Sequence, residues 1–199
     1  PYHYAKIKSI DTSKVEALPG VLAVATGADA PNTFGVLPVT KDEHAMAVEK
    51  VRHVGDLVAC VAAVDEATAM EALNLFEIEW EVLDPVFDPR KGLEDQDEPI
   101  HWRGKYHVGT TNVQKRVFQE FGDRSLVADP TASSHGKWRM EGVHHGFTEP
   151  HAVVAHWDPN GRLQLYTPQQ VPHYAHRALS TGLEVPMHQI NVSRTCVGG

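Results

Sequence analysis

The sequence predicts a protein of mixed α/β (α+β) class, on three observations. Strand-type and helix-type hydrophobic patterns alternate in the first third of the chain, as in domains where helices pack on a sheet. An acidic stretch rich in Pro and Gly then separates this block from the remainder, where strand patterns surround one helix pattern. The 199 residues are enough for one large domain or two smaller ones.

The first block, residues 1–84, is predicted to be a compact α/β domain. Its predicted elements are strands over 5–10, 21–26, 57–64 and 77–82, a short helix that ends at Leu18, and a helix over 66–76. Asp11 or Thr12 is predicted to cap the first helix, and Asp65 the second. The unbroken apolar run over 57–64 is typical of a strand covered on both faces, which predicts that Cys60 is a small core residue.

Residues 85–111 are predicted to be an acidic linker, and 112–199 a second domain. The most acidic part of the linker, 94–98, is predicted to be a solvated loop without a partner.

In the second domain the pattern over 112–121 fits either a strand or a short helix. Further predictions are strands over 133–143, 147–157, 162–167 and 189–195, a hairpin turn over 158–161 and a helix beginning near Pro172.

Charge and composition exclude some classes of function. Lys and Arg number 18 against 26 Asp and Glu, a net charge of −8, whereas nucleic-acid binding through a basic face needs a cationic surplus. No apolar run is long enough to span a bilayer. The 2 cysteines form no disulfide framework, and together with the lack of a signal-peptide pattern they predict a cytoplasmic protein. Because the chain lacks an initial Met and stops directly after a strand pattern, we expect a fragment of a longer protein.

The 13 histidines raise the question of a metal site. His144, His145 and His151 lie around Glu149, but neither they nor the pair His173 and His176 belong to a zinc motif, so scattered hydrogen-bonded histidines are predicted.

A second candidate site lies near the C-terminus. Gln170 follows one strand pattern, and Gly198 and Gly199 follow the next. Glycines after a strand let main-chain amides approach an anionic or metal-oxo group, and a carboxamide can donate to the same group. An ordinary turn and a solvent-facing glutamine are the alternative interpretation.

Several longer motifs resemble one enzyme family. The segments AKIKSIDTSKVEALPGVLAVATGADAP and VRHVGDLVACVAAVD resemble the α/β hammerhead domain in the molybdenum subunit of xanthine dehydrogenases and aldehyde oxidases. The segment HHGFTEPHAVVAHWDPNGRLQLYTPQQVPH and the closing VGG resemble the first part of the molybdopterin-binding domain of the same family. The resemblance therefore implies a hammerhead domain over 1–84 and a truncated molybdopterin-binding domain over 112–199.

The resemblance also implies the roles of individual residues. Gln170, with Gln169 as the alternative, matches a glutamine whose amide donates to an oxo ligand of molybdenum, and Gly198 and Gly199 match the first glycines of the cofactor loop. Glu149-Pro150 and His145 match a motif that organises the domain core near the site. Molybdenum would be bound through the pterin dithiolene, without a protein ligand. The family's catalytic glutamate would lie beyond residue 199, so this chain would hold no catalytic residue and would not turn over alone.

The implied function is that of a molybdenum-dependent oxidoreductase acting on a small aromatic, heterocyclic or aldehyde substrate, with an aromatic acyl-CoA as one member of that set, as in 4-hydroxybenzoyl-CoA reductase. The implied cofactor is molybdopterin cytosine dinucleotide. Because no four-Cys cluster pattern or flavin fingerprint is present, 2Fe-2S clusters and FAD are expected on partner subunits, in a dimer of heterotrimers. The alternative is a non-catalytic α/β interaction or scaffold subunit.

Overall fold

The computed structural model describes residues 1–36, 41–101, 110–123, 125 and 131–198. Strands and helices alternate in these residues, which confirms the mixed class. In chain order the elements are β1 (Ala5–Asp11), α1 (Ser13–Glu16), β2 (Val21–Thr26), β3 (Lys50–Val51), β4 (Ala59–Ala63), α2 (Glu66–Leu73), β5 (Glu77–Val82), β6 (Val154–Trp157), β7 (Leu163–Thr167), α3 (Pro172–Gly182) and β8 (Ile190–Arg194). None of the helices in the described ranges is both long and apolar enough to cross a membrane.

The first block contains two antiparallel sheets. One has the strand order β3-β1-β5 and the other pairs β2 with β4. Ala5, Ala47 and Val51 form a small buried cluster, against which Ile7, Val58 and Trp80 pack. The two helix starts agree with the predicted caps: Asp65 accepts the Thr68 amide at 2.8 Å, and Asp11 accepts the Ser13 amide at 2.9 Å, whereas the Thr12 side chain makes no cap.

Val15 on α1 is fully buried, at 0% exposure. We expect Val15→Ala to lower the free energy of unfolding by about 1.5 kcal/mol, because it removes two buried methyl groups and leaves a small void. Denaturant unfolding of both proteins measures this loss. Val54, which is 55% exposed, provides the matched control. A loss as large for Val54→Ala would show that valine truncation, and not burial on α1, is responsible.

The prediction that the 57–64 strand is covered on both faces is wrong for the described residues. β4 pairs with β2 alone in a two-stranded sheet. Its residues alternate along the strand, with Ala59, Val61 and Ala63 partly buried but Cys60 and Ala62 exposed. Cys60 is therefore a free, exposed thiol, not a core residue.

The acidic stretch over 94–98 also differs from the prediction, because Glu98 has partners. Its carboxylate contacts the Lys50 Nζ at 2.9 Å and the Lys6 Nζ at 3.0 Å. Further along, the Arg52 side chain donates to the Ile100 carbonyl at 3.0 Å. The stretch from Glu98 to Ile100 is thus attached to the first block.

Among the described residues of the second block, α-helices and β-strands occur only from β6 onwards. Residues 112–123 and 131–153 contain neither helix nor strand, so the strand predicted over 133–143 is wrong and neither alternative for 112–121 is present. Of the strand predicted over 147–157, only the last four residues form a strand, β6 (Val154–Trp157). The hairpin between β6 and β7 is confirmed, and the helix and strand that follow are confirmed as α3 and β8.

The chemistry of the hairpin turn explains why it was predictable. The Asp158 carboxylate accepts the amides of Asn160 and Arg162 at 2.8 and 2.9 Å, and Gly161 has a φ of +75°. These main-chain donors, the Arg162 amide above all, lower the pKa of Asp158. The turn uses the two properties that Asp and Gly supply, a side-chain acceptor and left-handed backbone.

Candidate functional site

The candidate site lies at one edge of the sheet formed by β6, β7 and β8. β7 and β8 are parallel, with Thr167 opposite Arg194, and α3 connects them. The Thr195 amide continues the ladder by donating to the Thr167 carbonyl at 3.1 Å. Because the carboxyl ends of parallel strands meet at the same edge of a sheet, the segments that follow β7 and β8 lie side by side.

An open cavity of about 580 Å³ lies at this edge. It is lined after β7 by Gln169 and Gln170, after β8 by Val197, and opposite them by the stretch that precedes β6. The structure therefore brings Gln170 and Val197, the residue before the glycines, to one cavity. Gly199 lies outside the described residues.

The two glutamines differ in their surroundings. The Gln169 side-chain oxygen accepts the Val171 amide at 3.5 Å, a long hydrogen bond within its own turn. Gln170 is exposed, and its carboxamide makes no hydrogen bond to the described part of the chain. The Gln170 carboxamide is thus able to donate and accept hydrogen bonds with a ligand in the cavity.

Gly198 contacts the opposite wall of the cavity. Its amide donates to the Glu149 Oε2 at 2.5 Å. A Cβ on residue 198 would lie 3.2 Å from the Glu149 Cβ and 3.3 Å from the Oε2, so the approach is close even for glycine. Because the Gly198 amide is already hydrogen-bonded to the Glu149 carboxylate, Gly198 could contact a ligand only through its Cα and its carbonyl oxygen.

Rings of histidine and phenylalanine form the third wall. His145 stacks on His144 and on Phe147, with centroid distances of 5.3 and 5.0 Å, and Phe147 meets His151 edge-on at 5.7 Å. Among the described residues no group of three His, Cys, Asp or Glu side chains is arranged to hold a metal ion. The aromatic wall was not predicted, and the ring-rich run over 144–151 is the only signal for it in the sequence.

Comparison with known families accounts for both blocks. The model of the a/b hammerhead domain of aldehyde oxidase and xanthine dehydrogenase matches residues 1–84, and that of the molybdopterin cofactor-binding domain matches 107–199. The chain belongs to the aldehyde oxidase and xanthine dehydrogenase family. The resemblance deduced from the sequence motifs is thereby confirmed, and so is the fold that it implied.

Individual members of the family show the same relationship. The chain is 32% identical to the nicotinate dehydrogenase large molybdopterin subunit of Eubacterium barkeri, over 98% of this chain and 45% of that protein. It is 32% identical to the carbon monoxide dehydrogenase large chain of Afipia carboxidovorans, over 98% and 26%. The crystal structure of quinoline 2-oxidoreductase from Pseudomonas putida 86 superposes with a TM-score of 0.76 at 26% identity, over 100% and 26%. The chain thus spans less than half of these relatives.

The cavity fits the cofactor that this family implies. Its polar lining combines the carboxamides of Gln169 and Gln170 and the hydroxyl of Thr167 with the imidazoles of His145 and His151 and the carboxylate of Glu149. On the facing side the missing side chain of Gly198 lets the main chain lie directly against Glu149, where a Cβ would come within 3.2 Å of the Glu149 Cβ. Such a lining suits a cofactor that brings its own metal ligands and is held by hydrogen bonds and main-chain contacts.

Proposed function

We propose that this chain is part of the molybdopterin-binding subunit of a molybdenum-dependent oxidoreductase and forms one wall of its cofactor site. The observation that carries the proposal is the common cavity at the carboxyl ends of β7 and β8, lined by Gln170 on one side and by Val197 on the other, with Gly198 hydrogen-bonded to the lining residue Glu149. When bound, the cofactor supplies two-electron redox chemistry with water as the source of oxygen.

The residues of this chain have binding and orienting roles in the proposal. The Gln170 carboxamide donates a hydrogen bond to the molybdenum end of the cofactor and so tunes it as an outer-shell group, with Gln169 as the alternative donor. Gly198 and Gly199 give the cofactor close access to the main chain. His145 and Glu149-Pro150 form the part of the cavity wall that faces Gly198. The base that completes catalysis is proposed to come from outside this chain.

The whole protein is proposed to work in a complex. Molybdopterin cytosine dinucleotide is the proposed form of the cofactor, and 2Fe-2S and FAD subunits the proposed partners, in a cytoplasmic dimer of heterotrimers. Relatives named for nicotinate and quinoline favour an N-heterocyclic aromatic substrate among the aromatic, heterocyclic and aldehyde candidates. The proposed division of the chain remains 1–84, 85–111 and 112–199.

Metal and nucleotide analysis of the natively purified protein tests the proposal. We expect molybdenum and cytidine monophosphate, the latter after acid release, in about equal amounts with each copy of this subunit. The absence of both from a preparation that retains its partner subunits would contradict the proposal and favour the scaffold alternative.

A further inference from the structure

Glu149 is connected to the end of β8 by a contact between residues far apart in sequence. Its carboxylate accepts the Gly198 amide at 2.5 Å across a separation of 49 residues. Hydrogen bonds from amides to carboxylates are shorter and stronger than those between neutral groups. This contact joins the irregular stretch before β6 to the segment that opens the glycine run.

The local backbone fixes where the carboxylate lies. Glu149 precedes Pro150, and a residue before proline is restricted to extended conformations. Its side chain is partly buried at the cavity wall, and it is the only carboxylate among the described lining residues. Glu149 therefore presents one anionic acceptor toward residue 198 from a backbone with little freedom.

The choice of residue at position 198, the other partner in the hydrogen bond, is equally restricted. A side chain at residue 198 would begin 3.2 Å from the Glu149 Cβ, so the contact requires glycine or a shift of the wall. Glycine without an anchor would leave the main chain after β8 free to rotate, because it lacks a Cβ to limit φ and ψ. The hydrogen bond to Glu149 supplies the anchor that glycine itself cannot.

We propose that Glu149 is a positioning residue that holds the main chain at Val197 and Gly198 against the cavity and so pre-forms the wall on which the cofactor lies. The inference rests on the proposed function. Glu149 acts through the Gly198 backbone and needs no contact with substrate or with the reacting atoms. By ordering this segment before the cofactor binds, Glu149 lowers the conformational entropy that the chain would otherwise lose on binding.

Amide hydrogen exchange in the natively purified complex, with and without extraction of the cofactor, tests the anchor directly. We expect Glu149→Ala to raise the exchange rate of the Gly198 amide about tenfold, and Glu149→Gln, which keeps a neutral acceptor, to raise it less. Molybdenum content should fall in the same order. Glu141→Gln is the matched control, since Glu141 is exposed and, among the residues that the structure describes, pairs with the Arg139 side chain alone; neither quantity should change.

The two readouts separate failure of this inference from failure of the proposed function. Unchanged exchange at Gly198 in both Glu149 variants would overturn the anchor, whatever the metal content. Faster exchange with unchanged molybdenum content would overturn its role in forming the cofactor wall. If the wild-type complex contains no molybdenum, the proposed function fails, whereas the exchange rates still report whether Glu149 holds residue 198. Glu149→Gln keeps the side-chain shape and supports these measurements if Glu149→Ala does not fold.

Discussion

Replacing Gln170 with Ala is expected to lower the turnover of the proposed oxidoreductase by roughly 10- to 100-fold, the range typical of outer-shell groups at metal sites. The physical reason is the loss of a neutral donor from the cavity edge, where the Gln170 carboxamide has no hydrogen bond to the described part of the chain. Gln170 is exposed after the end of β7, so its removal should leave subunit assembly unchanged. Steady-state kinetics of the complex, normalised to molybdenum content, measure the effect.

Gln169→Ala is the control, because both carboxamides line the cavity. Gln169 already accepts the Val171 amide, so its removal should disturb the turn more than the cofactor. A greater loss of turnover in Gln169→Ala than in Gln170→Ala would assign the donor role to Gln169. Unchanged kinetics in both variants would contradict a carboxamide role at this edge.

The elements nearest the site were predictable because their signals are local. Pro172 begins α3 at a position where a missing amide costs nothing, and Asp158 and Gly161 supply the acceptor and the positive φ of the hairpin turn. The parallel pairing of β7 with β8 follows from the helix between them. These three features are sufficient to place Gln170 and residue 197 at the same edge of the sheet.

Elements that depend on a distant partner were not predictable. Residues 133–143 have a strand pattern, but a strand also needs a neighbour to receive its hydrogen bonds, and none pairs with them in the described ranges. Cys60 lies in an apolar run that indicates burial, yet within the described part of the chain β4 pairs only with β2, and Cys60 is exposed. Local composition thus indicates which secondary structure a segment can form. Whether the strand forms and which face is buried depends on the segments that pack against it.

The site was predicted only in part for the same reason. Gln170 and Gly198 were identified through the family resemblance, and the strands position both. The hydrogen bond from Gly198 to Glu149 and the stacking of His145 on Phe147 depend on an irregular stretch without periodicity. Nothing in the spacing of 144–151 specifies which side chain reaches across 49 residues.

A buried lysine illustrates a long-range contact with a larger energetic consequence. The Lys50 side chain is 8% exposed, and its Nζ donates to the Tyr4 hydroxyl at 2.8 Å, to Glu98 at 2.9 Å and to the Pro99 carbonyl at 2.8 Å. The Tyr4 hydroxyl in turn donates to the Pro99 carbonyl at 2.9 Å. A buried ammonium is stable only when its charge is balanced and its protons are bonded. Glu98 supplies that balance from the stretch predicted to be a free linker.

Glu98→Gln is expected to lower the free energy of unfolding by about 2 kcal/mol at neutral pH. Removing one partner of a fully buried pair costs about 3–5 kcal/mol. The loss here is smaller because the Glu98 side chain is 38% exposed and solvent screens it. Denaturant unfolding measures the change, and Glu79→Gln, an exposed glutamate on β5, is the control. Equal effects of the two substitutions would contradict a specific role for the Lys50 pair.

The stabilisation by Glu98 should also depend on pH. Its hydrogen bond to Lys50, followed by that to Lys6, lowers the pKa of Glu98 below the ordinary value of 4.5. A carboxyl whose pKa is lower in the folded state contributes stability above its unfolded pKa and loses it as the pH falls through the folded one. The difference in unfolding free energy between wild type and Glu98→Gln should therefore be constant from pH 7 to about 5 and shrink as the solution is acidified further. A difference that persists undiminished to pH 3 would mean that the carboxylate charge is not what holds Lys50, and that the loss in the variant comes from altered packing.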